Sequence, residues 1–116
     1  MLRTALALAA LALAAGSGAQ AADGAKIFQL QCKTCHQAKS TPMGPSLVGV
    51  AGRNLAGLTD FKYSPGLTAK GGTWTDAALD GFLAGPAKYA PGSKMPASVP
   101  GPADRTAVIA YLKTLK

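Results

Sequence analysis

The sequence predicts a small all-α domain of three to five short helices joined by Gly/Pro-rich loops. Three observations carry this. Apolar residues recur at helical spacing in short windows, and capping residues open most of those windows. Runs of alternating β-branched residues, the mark of strands, do not occur. The 14 glycines and 8 prolines fall largely between the windows and keep the helices short.

The elements follow in order. Asp23 is an N-cap for a first helix running to about His36, with Ile27, Phe28 and Leu30 as its apolar content. A long loop follows, punctuated by Gly44-Pro45 and by Gly49 to Gly57. Ser64 to Ala69 makes one short helix, with Pro65 at its first position. Thr75 caps a helix over about Asp76 to Ala84 with Leu79, Phe82 and Leu83 facing inward, and Gly85-Pro86 stops it. Pro86, Pro91, Pro96, Pro100 and Pro102 then argue against a regular helix or a central strand over residues 86 to 102. A last helix from about Ala103 to Leu115 puts Val108, Tyr111, Leu112 and Leu115 at helical spacing. A helical chain with this much loop has a modest core of its own and needs something to pack around.

The run Cys32-Lys33-Thr34-Cys35-His36 says what that is. C-x-x-C-H is the spacing of covalent c-type haem attachment. Two thiols one helical turn apart point the same way and can both reach the vinyl groups on one porphyrin edge. The next residue, His36, lies under the ring and can ligate the iron. A zinc site needs four ligands, and the chain's two cysteines and one histidine are all in this motif. A thioredoxin-like redox pair needs a βαβ frame, which the sequence around residue 32 does not supply. A local disulfide is the remaining alternative.

The first 21 residues read as a secretory signal peptide: Arg3, an apolar run from Ala5 to Ala15, then the small-x-small pattern Ala19-Gln20-Ala21. The run is shorter than the ~20 residues of a comfortable membrane span, although an uncleaved anchor is the alternative. Residues 22–116 then form one domain, exported to the periplasm, where haem attachment takes place in bacteria. The whole chain carries a formal charge of +7 with no glutamate. That balance favours acidic partners and speeds their encounter. The lysines are dispersed and no nucleic-acid motif occurs, so nucleic acid is not the partner read here.

Beyond the haem motif, Gly44-Pro45-Ser46-Leu47, Gly52-Arg53, Tyr63-Ser64, Trp74, Pro91-Gly92-Ser93-Lys94-Met95 and Ile109-Ala110-Tyr111-Leu112 follow in order. With them the chain resembles class I cytochromes c, the small soluble mitochondrial-type and bacterial c2-type carriers, from Gly24 to Leu115. The resemblance implies a class I cytochrome c fold around one covalently attached haem c. It makes Cys32 and Cys35 the thioether residues and His36 the proximal ligand. Pro45 matches the proline whose carbonyl accepts the His36 Nδ1–H bond, which fixes the imidazole. Arg53, Tyr63 and Trp74 match positions that bond a buried haem propionate, a carboxylate that must be paired in a low-dielectric pocket. Gly24 and Phe28 match the crossing of the first helix over the last, against Tyr111.

Two methionines outside the leader compete for the sixth position. Met43 is seven residues from His36, and an extended segment of that length spans about 23 Å, so reach does not exclude it. Met95 matches the family's ligand, and the proline-rich loop around it can lie rigidly over the opposite haem face. His/Met ligation raises the haem potential and leaves no open position at the iron. Lys33, Lys88 and Lys94 fall at or beside positions that ring the exposed haem edge in the family. The chain departs from the mitochondrial pattern at Leu67, where asparagine is usual, and at Phe82, where tyrosine is usual. Both changes remove polar groups from the Met95 side.

The function implied is a soluble one-electron carrier, a monomer and not an enzyme, docking on an acidic oxidase, reductase, dehydrogenase or reaction centre. Its contact with membrane complexes is at most transient. The alternatives are a haem subunit dedicated to one periplasmic dehydrogenase or oxidase, a peroxidase-like enzyme whose methionine leaves the iron, and a thiol–disulfide oxidoreductase.

Overall fold

A computed structural model describes residues 22–116; the signal peptide expected over residues 1–21 lies outside the described residues. Five helices follow one another: α1 (Gly24–Gln31), α2 (Pro65–Lys70), α3 (Asp76–Ala84), α4 (Pro86–Tyr89) and α5 (Pro102–Leu112). Among the described residues there are no strands, only two isolated bridges, Thr41 with Gly44 and Asn54 with Thr73. No helix is long and apolar enough to cross a membrane among those residues.

The caps read from the sequence are in place. The side chains of Asp23, Ser64 and Thr75 accept from the amides of Lys26, Leu67 and Ala78, each satisfying a donor that its helix leaves unpaired. Three expectations are corrected. The first helix stops at Gln31 instead of reaching His36. The Cys32 and Lys33 amides both donate to the Phe28 carbonyl at 2.9 Å, and Cys35 and His36 then close a separate turn on the Cys32 carbonyl at 3.2 and 3.0 Å. Leu30 is 72% exposed, because α1 turns only the Gly24 and Phe28 side inward. Pro86 opens the one-turn helix α4, where proline at the first position gives up an amide the helix would leave unpaired anyway. The final helix ends at Leu112, with Lys113 and Thr114 in a closing turn.

α1 crosses α5, and the two sit unusually close. A Cβ on Gly24 would overlap the carbonyl oxygen of Ala107. The Phe28 and Tyr111 rings lie 5.1 Å apart beside this crossing, tilted at 51°. α3 packs on the neighbouring flank of α5, held at its rim by Lys113–Asp76 and Arg105–Asp80 ion pairs, both 2.7 Å. Phe28, Leu79, Leu83, Val108 and Leu112 are buried between these three helices.

Gly24→Ala must separate α1 from α5 or bend one of them. Its expected effect is a loss of about 1–3 kcal/mol, the range for overpacking a tight contact. Guanidinium unfolding of the haem-loaded protein measures it, and an unchanged midpoint contradicts the close crossing.

Candidate functional site

The helices and loops enclose one apolar cleft of about 1140 Å³, counted with its open mouth. All eight residues singled out from the sequence line it. Cys32, Cys35, His36 and Pro45 form one group, brought together by the turn after α1 and the loop behind it. Arg53, Tyr63 and Trp74 form a second, and Met95 comes from the loop between α4 and α5.

The His36 ring is held from behind. Its Nδ1 lies 2.9 Å from the Pro45 carbonyl oxygen, which can only accept, so the proton sits on Nδ1 and the Nε2 lone pair is free. Burial lowers the His36 pKa from its ordinary value, against the opposing pull of the Pro45 carbonyl, which favours the neutral ring a metal needs. Gly44 makes this approach possible. A Cβ there would sit 2.5 Å from the Cys35 carbonyl and 3.1 Å from His36 Nδ1. Cys32 is buried, Cys35 half-buried, and the two are unbridged. Burial, and then the neighbouring Cys35, raise the Cys32 pKa, the reverse of what a thiol–disulfide catalyst requires.

Backbone bonds bring Arg53 and Trp74 together although they are far apart in sequence. The Trp74 amide donates to the Arg53 carbonyl at 2.8 Å, and the Gly52 amide donates to the Trp74 carbonyl at 2.9 Å. The Arg53 guanidinium donates to the carbonyls of Ser46 (3.0 Å) and Val48 (3.3 Å), while its Nε–H is buried without a partner. Tyr63 accepts from the Leu58 amide through its hydroxyl at 3.3 Å, leaving its own O–H to donate. Trp74 is buried, with Phe82 edge-on at 5.1 Å. These bonds to the loops were not legible in the sequence. Nor were Phe61, which stands edge-on to Tyr63 at 5.0 Å, and Val50, both on the cleft wall without any motif to mark them.

Both methionines line the cleft, and burial separates them. Thr41 and Gly44 exchange backbone bonds at 3.0 and 3.2 Å, so Pro42 and Met43 form the tip of a tight turn, and Met43 is 68% exposed. Met95 is partly buried against the core.

The donor set fits haem c. Two free thiols, a neutral imidazole and a thioether share one apolar cleft, and Arg53 on its wall supplies a cation that can face a carboxylate. Among the described residues no group of three or more His, Cys, Asp or Glu could hold a bare metal ion.

Short helices around such a cleft, with C-x-x-C-H in its wall, define a haem c protein. A family model described as Cytochrome c matches residues 21–116. A cytochrome c homolog of Rickettsia bellii (strain RML369-C) is 46% identical over 97 residues, covering 80% of this chain and 56% of that protein. This chain therefore spans little more than half the length of that relative. Cytochrome c2 iso-1 of Magnetospirillum molischianum is 48% identical over 91 residues, covering 74% of this chain and 91% of its own. Among solved structures, cytochrome cH from Methylobacterium extorquens superposes with a TM-score of 0.72 at 38% identity, covering 79% of this chain and 98% of that one. The chain belongs to the cytochrome c family, in its class I form, and its cofactor is covalent haem c.

Leu67 and Phe82 both face the cleft that Met95 enters. Apolar groups there give an added positive charge at the iron no solvation, so they favour the ferrous state. Leu67→Asn is expected to lower the reduction potential by about 40 mV, the one-electron equivalent of ~1 kcal/mol for a polar contact. A potentiometric titration decides it, and a flat or raised potential refutes the account.

Proposed function

We propose that this protein is a soluble one-electron carrier, exported to the periplasm through residues 1–21, with residues 22–116 as its single cytochrome c domain. The observation that carries this is the pairing of two side chains on one cleft: His36, locked through Nδ1, and Met95, packed against the core. In this reading Cys32 and Cys35 would hold haem c through thioethers, and His36 and Met95 would supply the ligands to its iron. Arg53, Tyr63 and Trp74 surround the buried propionate. Haem c supplies a reversible one-electron couple between ferric and ferrous iron. With the iron ligated by two of the chain's own side chains, no position would remain for a substrate, which supports a carrier over an enzyme. The chain's single histidine is already used behind the ring, so a peroxidase has no distal imidazole.

The charge layout supports acidic partners. Among the described residues, the two carboxylates that pair with cations are Asp76 and Asp80 of α3, and both pair within the protein, Asp80 to Arg105 of α5 and Asp76 to Lys113 just past its end. Lys33, Lys88 and Lys94 are exposed and pair with no carboxylate among the described residues. Lys94 donates instead to the Lys62 carbonyl at 3.2 Å. These lysines are proposed to steer a monomeric carrier onto acidic faces of an oxidase, reductase, dehydrogenase or reaction centre.

The purified ferric protein is expected to show a low-spin haem spectrum with a sulfur-to-iron charge-transfer band. Met95→Ala abolishes that band and Met43→Ala keeps it. A colourless protein overturns the haem reading, and a band that survives Met95→Ala moves the ligand elsewhere.

Oxidation of the ferrous protein by hexacyanoferrate(III), an anion, is expected to slow as ionic strength rises. Lys88→Glu with Lys94→Glu flattens that slope. Stopped-flow measurement over a salt series checks it, and a slope unchanged in the double variant rejects these lysines as the steering charges.

A further inference from the structure

We propose that Arg105 is a positioning residue: with Asp80 it clamps the C-terminal end of the loop that carries Met95 and keeps that loop closed over the cleft. The proposal rests on the reading of Met95 as the sixth ligand.

The loop between α4 and α5 leaves the core at Ala90, which is fully buried, and returns to it at Val99, which is 4% exposed. Met95 lies about midway. At the first end, Gly66 of α2 packs so closely against the Pro91 carbonyl that a Cβ would overlap it. The far end is held by a different device. Arg105 Nη1 donates to two successive carbonyls, Val99 at 3.0 Å and Pro100 at 2.8 Å. Its Nε donates to Asp80 Oδ1 on α3 at 2.7 Å. The Arg105 side chain is 13% exposed, and its bonds to Val99 and Asp80 are partly shielded from water, while the Pro100 bond is exposed and Asp80 is 49% exposed. One guanidinium thus joins α5, α3 and the loop end. Asp80 fixes the plane of the fork, and the fork fixes the two carbonyls.

Stiffness carries this constraint to Met95. Pro96 and Pro100 bracket the span between the thioether and the clamp, and each fixes one backbone angle. The Val99 amide donates to the Leu83 carbonyl at 2.7 Å, so the loop end also bonds to the helix that bears Asp80. The bond pattern separates the clamp from the other α3–α5 ion pair. Lys113–Asp76 joins the same helices but is 49% and 66% exposed and touches no loop residue.

Lysine in place of Arg105 keeps the charge for Asp80 but cannot serve both carbonyls and the carboxylate in one plane. Asp80→Ala leaves the guanidinium unoriented while keeping a good helix former on α3. Each variant raises the fraction of molecules whose loop is open, and an open loop admits outside ligands. The experiment is imidazole titration of the ferric haem-loaded protein, followed through the sulfur-to-iron band, beside guanidinium unfolding of the same samples. Arg105→Lys and Asp80→Ala are expected to tighten apparent imidazole binding by about tenfold, the weight of one charged hydrogen bond, and Lys113→Ala by less than about twofold. Imidazole affinity that stays at the wild-type value in Asp80→Ala, whatever the unfolding midpoint does, overturns the clamp. So does an equal rise in Lys113→Ala, which would assign the effect to helix docking in general. If Arg105→Lys fails to fold, Asp80→Ala decides alone. A wild-type protein without the band refutes the Met95 reading itself, whereas a band with unmoved affinities refutes only the clamp.

Discussion

Most of the buried apolar side chains, Phe28, Leu67, Trp74, Leu79, Leu83, Val108 and Leu112 among them, also line the cleft. They have one flank against each other and another against the apolar cleft. A domain of this size buries too little surface to spare such space, since an unfilled cavity forfeits its lining's contacts. The haem is therefore part of the core. Covalent attachment at Cys32 and Cys35 suits this dependence, because a tethered core cannot be lost by dilution. The close α1–α5 crossing at Gly24 sets the frame within which that core closes, and it places the C-x-x-C turn directly after the frame's first helix.

Interactions within a few residues were legible in the sequence. Asp23, Ser64 and Thr75 cap helices that begin where their side chains allow, and Pro65 sits at a position that needs no amide. The same logic also exposes the error at Pro86. Counting five prolines argued against any helix over the segment, but the ring at a first position is compatible with one turn, and Pro86 uses it. The end of α1 was missed for a different reason. Nothing in Gln31-Cys32-Lys33 forbids helix; the stop comes from the Phe28 carbonyl taking two amides at once, a choice made by the chain's packing.

The eight residues singled out from the sequence share one cleft, but the bonds that hold them there were not legible. The C-x-x-C-H spacing supplied Cys32, Cys35 and His36, resemblance supplied the other five, and the His36–Pro45 bond stands where the resemblance implied it. The sequence does not reveal that Trp74 and Arg53 are joined through their backbones, or that Arg53 spends two nitrogens on the Ser46 and Val48 carbonyls and keeps a third buried and unpartnered. Arg105 carried no motif at all. Bonds from a side chain to bare carbonyls leave no compositional trace, because any residue supplies a carbonyl. The exposure of Met43 was equally hidden until the Thr41–Gly44 turn put it at a tip.

The cleft wall is uneven in polarity. Tyr63 offers it a free O–H. Leu67 and Phe82, the latter edge-on to Trp74, offer nothing that a water or an ion can bond. A dry wall is effective only while water stays out, so it depends on the loop that closes it. Water entering beside Leu67 and Phe82 would solvate the extra charge of the ferric state and undo what those residues achieve. The apolar wall and the tied-down loop are thus one arrangement in two parts of the sequence. Relaxing either should move the same quantity, the balance between ferric and ferrous iron, and changes at both should be less than additive, because a loop already open leaves little dryness for Leu67 to protect.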